Sequence, residues 1–156
     1  CELSQAEAEA LRGILLRTPR EQGELLKTVL WALTLRPDQM PVSEVISLAR
    51  SHTSYEVRGA AVRALFYSET REAARSIEFA ALEDPRPENR AEAVAILSVT
   101  AAASTLQLAR DALAKEQDVL VRSRWLELIG AQNIGDSEAL MATLPVELAE
   151  QVRASK

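Results

Sequence analysis

A spacing of 32 residues recurs along this chain and constrains its fold more than any other feature. Three short segments of similar pattern are headed by arginines at this spacing: Arg58 (VRGAAVRAL, 57–65), Arg90 (NRAEAVAIL, 89–97) and Arg122 (VRSRWLELI, 121–129). In each segment small or apolar residues follow the arginine by three, four and seven positions, which is the spacing of one helix face. A fixed period of this length is typical of stacked helical repeats, in which no single unit can bury its own apolar face.

The composition favours helices over sheets. The chain is 47% hydrophobic but carries only two Trp, two Tyr and two Phe, so Ala and Leu supply most of its apolar volume. Valine and isoleucine dominate no short alternating segment, and such segments are the signal for strands. The predicted class is therefore all-α.

Helix start and stop signals divide the chain into about five antiparallel pairs. Ser4 and Glu7 form a capping box, while Pro19 and the segments 36–41 and 84–87 interrupt the helical pattern. The predicted fold is a solenoid in one domain, residues 1–156, with pairs at about 4–35, 43–67, 70–99, 102–131 and 136–154. The last pair departs from the 32-residue register, as expected of an end unit.

The segments SYEVRGAAVRAL (54–65), DPRPENRAEAVAIL (84–97) and EQDVLVRSRWLELI (116–129) resemble HEAT repeats. Their spacing is closest to the short HEAT-like class that is also found in phycobilisome lyases. The resemblance implies a right-handed α-α superhelix that serves mostly as a binding surface. Such repeats usually carry an acidic residue in the turn before the arginine helix. Asp84 and Glu116 fill that column, but His52 occupies it in the first arginine repeat, which puts a complete charge ladder in doubt.

The arginine column of Arg58, Arg90 and Arg122 is predicted to be structural. An arginine in the first turn of a helix is poorly placed for the helix dipole, so another group should hold it. Its guanidinium can meet an acidic turn residue or the carbonyls that end a nearby helix. The alternative is a phosphate-binding ridge, against which the excess of acidic residues argues.

Trp31 and Arg63 are the leading candidates for a partner-binding site. They share a column with Ala95 and Glu127, which predicts that the column faces outward. Tryptophan and arginine are enriched in the residues that contribute most to binding. The alternative is that the first helix or the 36–41 loop partly covers Trp31.

Three more aromatic residues need an interpretation. Phe66 and Tyr67 end the helix that carries Arg63, where they either fill the junction with the next helix or enlarge a partner-binding patch. Trp125 stands where earlier repeats have alanine, and is predicted to fill the core.

The sequence contains no recognisable catalytic constellation, so the chain is predicted not to be an enzyme. Its only histidine, His52, is interpreted as a solvated turn residue without metal-ligating neighbours. No cofactor and no metal are predicted.

The charge balance and the cysteine bear on partners and localisation. A net charge of −5 argues against nucleic acid, and no apolar run is long enough to span a bilayer. Cys1, the only cysteine, is where a processed bacterial lipoprotein would receive its lipid, which predicts a periplasmic, membrane-anchored protein. The alternatives are that position 1 is only a boundary and that the protein is cytoplasmic.

The leading functional hypothesis is a non-catalytic scaffold module that binds a protein or peptide. The alternatives are an activity like that of the bilin lyases, implied by the resemblance, and nucleic-acid binding. The partner and the oligomeric state remain open.

Overall fold

The computed structural model describes residues 4–100 and 103–131, together with the isolated positions 146 and 150. This part of the chain contains helices and no strand, which confirms the all-α prediction. The helices are α1 (Gln5–Arg17), α2 (Gly23–Leu33), a 3-10 helix (Pro37–Gln39), α3 (Val42–Ser51), α4 (Tyr55–Leu65), α5 (Arg71–Glu83), α6 (Pro87–Thr100), α7 (Ala103–Leu113) and α8 (Val119–Ala131).

The helix ends lie close to where caps and prolines predict them. The Ser4 hydroxyl accepts a hydrogen bond from the Glu7 N–H, and the Glu7 carboxylate accepts one from the Ser4 N–H, so the capping box is present. α1 ends two residues before Pro19, and α6 begins at Pro87. The predicted 36–41 loop differs in one respect, since it holds the short 3-10 helix.

Neighbouring helices pack in two ways. Consecutive helices pack as α1 on α2, α3 on α4, α5 on α6 and α7 on α8, and every second helix packs on the next as α2 on α4, α4 on α6 and α6 on α8. α3 also packs on α5. Each helix therefore contacts elements that are close to it in sequence.

The core consists of the columns that the 32-residue period predicts. Residues three, four and seven positions after the arginine position are all buried in α2, α4, α6 and α8. These are Val29, Ala61, Ala93 and Trp125; Leu30, Val62, Val94 and Leu126; and Leu33, Leu65, Leu97 and Ile129. Burial of their apolar surface is the main favourable contribution to folding.

The predicted pair at 136–154 and Cys1 lie outside the described residues. None of the described helices is both long enough and apolar enough to cross a bilayer.

Candidate interaction surface

The guanidinium of Arg58 is buried in contact with two turns of the chain. Its Nε and Nη2 donate hydrogen bonds of 2.8 and 3.0 Å to the two carboxylate oxygens of Asp84, in the turn between α5 and α6. Its Nη1 donates to the carbonyl oxygens of His52 and Thr53, at 2.8 and 3.2 Å, in the turn before α4. A planar guanidinium suits this bidentate geometry, which links one helical pair to the next.

Arg90 and Arg122 occupy equivalent positions. Arg90 Nε and Nη2 donate to the carboxylate of Glu116 at 2.9 and 3.0 Å, and its Nη1 donates to the Asp84 carbonyl at 2.9 Å. Arg122 Nη1 donates to the carbonyl oxygens of Leu113 and Glu116 at 3.1 and 2.9 Å. Each of the three arginines thus binds the carbonyl six residues before it. Both carboxylate-bound guanidiniums are occupied within the protein, which disfavours the phosphate-ridge alternative.

These contacts set the ionisation of the two acidic turn residues. Burial opposes the charge on Asp84, but hydrogen bonds from Arg58, the Arg86 N–H and Asn89 outweigh it and hold the pKa below its ordinary value. Burial likewise opposes the charge on Glu116. There the bonds from Arg90 and from nearby backbone N–H groups lower the pKa. Both groups are therefore held as carboxylates.

His52 is not a solvated turn residue as the sequence suggested, because only 3% of it is exposed. Its Nε2 lies 2.8 Å from the Arg20 carbonyl oxygen, and its Nδ1 accepts the Ser54 N–H at 3.0 Å. Nδ1 is therefore unprotonated and Nε2 donates. The Arg20 carbonyl lies six residues before Leu26, which stands where later units have arginine. His52 thus supplies the donor that Leu26 lacks.

The acceptor role in this column is the same in all three units. The His52 side chain accepts a hydrogen bond from the backbone N–H two residues ahead, and so do Asp84, from Arg86, and Glu116, from Asp118. The column therefore fixes each turn by a side chain that accepts from the backbone. The histidine departs from the HEAT-like pattern in charge but not in this geometry.

Adjacent second helices keep a common register. Lys27 on α2 pairs with Glu56 on α4 at 3.0 Å, and Arg63 on α4 pairs with Glu92 on α6 at 2.7 Å. Each contact joins a residue to the one 29 positions later. Residues 32 apart are therefore neighbours on adjacent helices, and an exposed column runs from one helix to the next.

Trp31 and Arg63 occupy one such exposed column. Trp31 is 68% exposed, so the alternative in which the first helix or the 36–41 segment covers it is wrong. Arg63 is also exposed, with its guanidinium bound to Glu92. An exposed tryptophan next to an arginine position is the composition that the partner-site prediction requires, although no partner contact tests that role here.

Phe66 and Tyr67 form an aromatic pair at the end of α4. Their ring centroids are 5.2 Å apart, with planes at 73°, in an edge-to-face arrangement. Phe66 is half-buried, whereas Tyr67 is exposed. The two proposed roles thus divide between them, and Tyr67 is the ring available at the surface.

Two surface residues were missed in the sequence interpretation. Leu35 and Val99 stand 32 residues before and after Tyr67 and are exposed, Val99 by 73%. Together with Trp31 they form what we call the apolar ridge: Trp31, Leu35, Tyr67 and Val99. The signal was available, because all but Trp31 share one column of the period.

The charged residues beside the apolar ridge are mainly acidic. Charged side chains on α2, α4, α6 and α8 outside the arginine column comprise five carboxylates, Glu24, Glu56, Glu88, Glu92 and Glu127, and three cations, Lys27, Arg63 and Arg124. Each of the three cations is already paired with a carboxylate. The surface therefore favours a partner with positive charge.

Trp125 is fully buried, which confirms its interpretation as a core residue. In the part of the chain that the structure describes, no group of three or more His, Cys, Asp or Glu side chains is arranged to hold a metal ion. Comparisons with protein-family models, curated proteins and solved structures find no match to this chain.

Proposed function

We propose that this chain is a short HEAT-like solenoid whose second helices bind a protein or peptide partner. The proposed fold is a right-handed superhelix of about five pairs. It is supported by contacts that recur with the sequence period: arginine to carbonyl six residues back, and arginine to acid 26 residues ahead. A stack of similar units in register presents one continuous surface.

The observation that carries the proposed function is the apolar ridge. Four exposed apolar side chains aligned on adjacent helices are more than the isolated surface hydrophobes of an ordinary monomer. Arg63 adds a residue type that is frequent in binding hot spots. The partner would present apolar side chains flanked by basic ones, which complement the excess of carboxylates.

Affinity capture with the purified chain as bait tests this proposal. Trp31→Ala and Tyr67→Ala should lose a protein that the wild type retains, because truncating a hot-spot aromatic costs about 2 kcal/mol or more, roughly thirtyfold in affinity. Phe79→Ala is the matched control, since Phe79 is an exposed aromatic on α5, away from the ridge. Identical recovery with all four baits would refute the proposed surface.

We further propose that Cys1 carries the lipid anchor of a periplasmic lipoprotein. A single acyl chain binds membranes weakly, whereas two or three chains anchor stably. Mass spectrometry of the protein extracted from its native membrane should show Cys1 diacylated or triacylated. An unmodified Cys1, or residues upstream of it in the mature protein, would contradict the anchor.

A further inference from the structure

A cleft of about 500 Å³ lies between the C-terminal part of α5 and α7. Its apolar wall includes Leu82, Leu108, Ala112 and Trp125. The volume falls within the range of small-molecule sites, which are mostly apolar with a few polar groups. The cleft lies away from the apolar ridge, so it forms a separate candidate site.

The cleft coincides with a break in the packing of the first helices. α3 packs on α5, but within the described residues α5 and α7 do not pack closely. The same region carries Trp125 where the two preceding units have Ala61 and Ala93. The opening is therefore a feature of this unit and not of the repeat in general.

The indole N–H of Trp125 is buried and has no hydrogen-bond partner in the described structure. Buried tryptophan N–H groups usually find a partner, since leaving one unsatisfied costs about 1–3 kcal/mol. Because Trp125 lines the cleft, a ligand or water held there could remove that cost.

The charges around the cleft indicate the class of ligand. Arg90 and Glu116 also line it, but they bind each other through two hydrogen bonds. Among the described residues, Glu83 and Asp111 have no ion-pair partner, and Lys115 is the one other cation in the lining. The remaining balance is negative, which favours a positively charged ligand.

We infer that this cleft binds a small amphipathic cation. Its apolar body lies against Leu82, Leu108 and Trp125, and its ammonium group lies near Glu83 and Asp111. The inference does not depend on the proposed partner surface, and either can fail without the other.

Nuclear magnetic resonance of the full chain gives a direct test, because its two tryptophans give two indole N–H signals. Trp31→Phe assigns the Trp125 signal. Phenethylamine, phenethyl alcohol and phenylacetate share one apolar body and differ in charge. We expect phenethylamine to shift the Trp125 signal saturably, with the alcohol binding several-fold more weakly and phenylacetate weakest.

Charge-removing variants locate the ammonium. Asp111→Asn and Glu83→Gln should each weaken phenethylamine about two- to fivefold, the range of an exposed ion pair. Glu72→Gln is the matched control, since Glu72 is exposed in the first turn of the same helix as Glu83, at the end away from the cleft. An unmoved Trp125 signal, equal affinity for the three compounds, or equal weakening by Glu72→Gln would each overturn the inference.

Discussion

Two arginines on one helix differ in what surrounds them, and the difference decides their contribution to stability. Arg58 and its partner Asp84 are 8% and 3% exposed as side chains, whereas Arg63 and Glu92 are 51% and 36% exposed. Water screens the second pair and not the first. The same charge pairing therefore has different consequences on two sides of α4.

Arg58→Ala should destabilise the protein by about 3–5 kcal/mol, because it leaves the Asp84 carboxylate buried without its cation. Arg63→Ala should cost less than about 1 kcal/mol, as exposed pairs do. Urea denaturation of both variants measures the free energy of unfolding. Equal losses would show that the buried pair is not the stronger contributor.

The buried pairs also predict how stability depends on pH. The pKa values of Asp84 and Glu116 are depressed in the folded state, so their contribution is complete above the ordinary carboxyl pKa of about 4. It is lost as the pH falls through the depressed values. Denaturation curves of Asp84→Asn should therefore depend less on pH below about 5 than those of the wild type. Parallel pH profiles would contradict this.

His52 shows where residue-level prediction from sequence ends. Its turn position was predictable from the register, but its burial was not, because its partner is a backbone carbonyl without sequence identity. The available clue was paired: Leu26 lacks the arginine in the same interface where His52 lacks the acid. Two departures from the repeat pattern compensate for each other.

Restoring both residues together tests this compensation. Leu26→Arg alone would bury an unpaired charge, and His52→Asp alone would leave the Arg20 carbonyl without its donor. The double variant should be more stable than the sum of the single changes by about 1–3 kcal/mol. A double-mutant cycle from urea denaturation measures the coupling, and additive effects would reject the proposed exchange of roles.

At the scale of helices, the boundaries were predictable because caps and prolines act locally. The close approach of α4 to α6 was not, since it depends on how side chains from separate units fit. A Cβ added to Gly59 would lie 2.8 Å from Asn89 Oδ1. Asn89 is held there by hydrogen bonds from its Nδ2 to the Tyr55 carbonyl at 2.9 Å and to Asp84 at 3.2 Å.

Gly59→Ala should therefore lower the melting temperature, although alanine is favoured over glycine in helices by about 1 kcal/mol. Gly13→Ala is the control, because the nearest atoms to its added Cβ belong to the flexible end of Arg17, at 3.1 Å. That change should raise the melting temperature. A rise in both variants would show that Asn89 can move aside without loss.

For the molecule as a whole, the period predicted the buried columns and the order of packing but not the cleft beside Trp125. Every core column could be read by counting 32 residues, because each unit repeats the same local fit. The separation of α5 from α7 is instead the outcome of all the packing around Trp125. Departures from the period, such as tryptophan in an alanine column, mark where such features occur without giving their shape.

Packing between near neighbours also predicts how the molecule opens. α4 packs on α2, α3, α5 and α6, whereas α1 packs closely only on α2 and the 3-10 helix among the described elements. In a stack of this kind the end units can unfold while the middle stays folded. Amide hydrogen exchange should therefore be slowest in α4 and faster in α1. Ser4→Ala removes the cap of α1, worth about 1 kcal/mol, and should speed exchange there roughly fivefold while leaving α4 unchanged. Uniform protection from α1 to α6, or an equal effect of the cap variant on both helices, would mean that the chain unfolds as one cooperative unit.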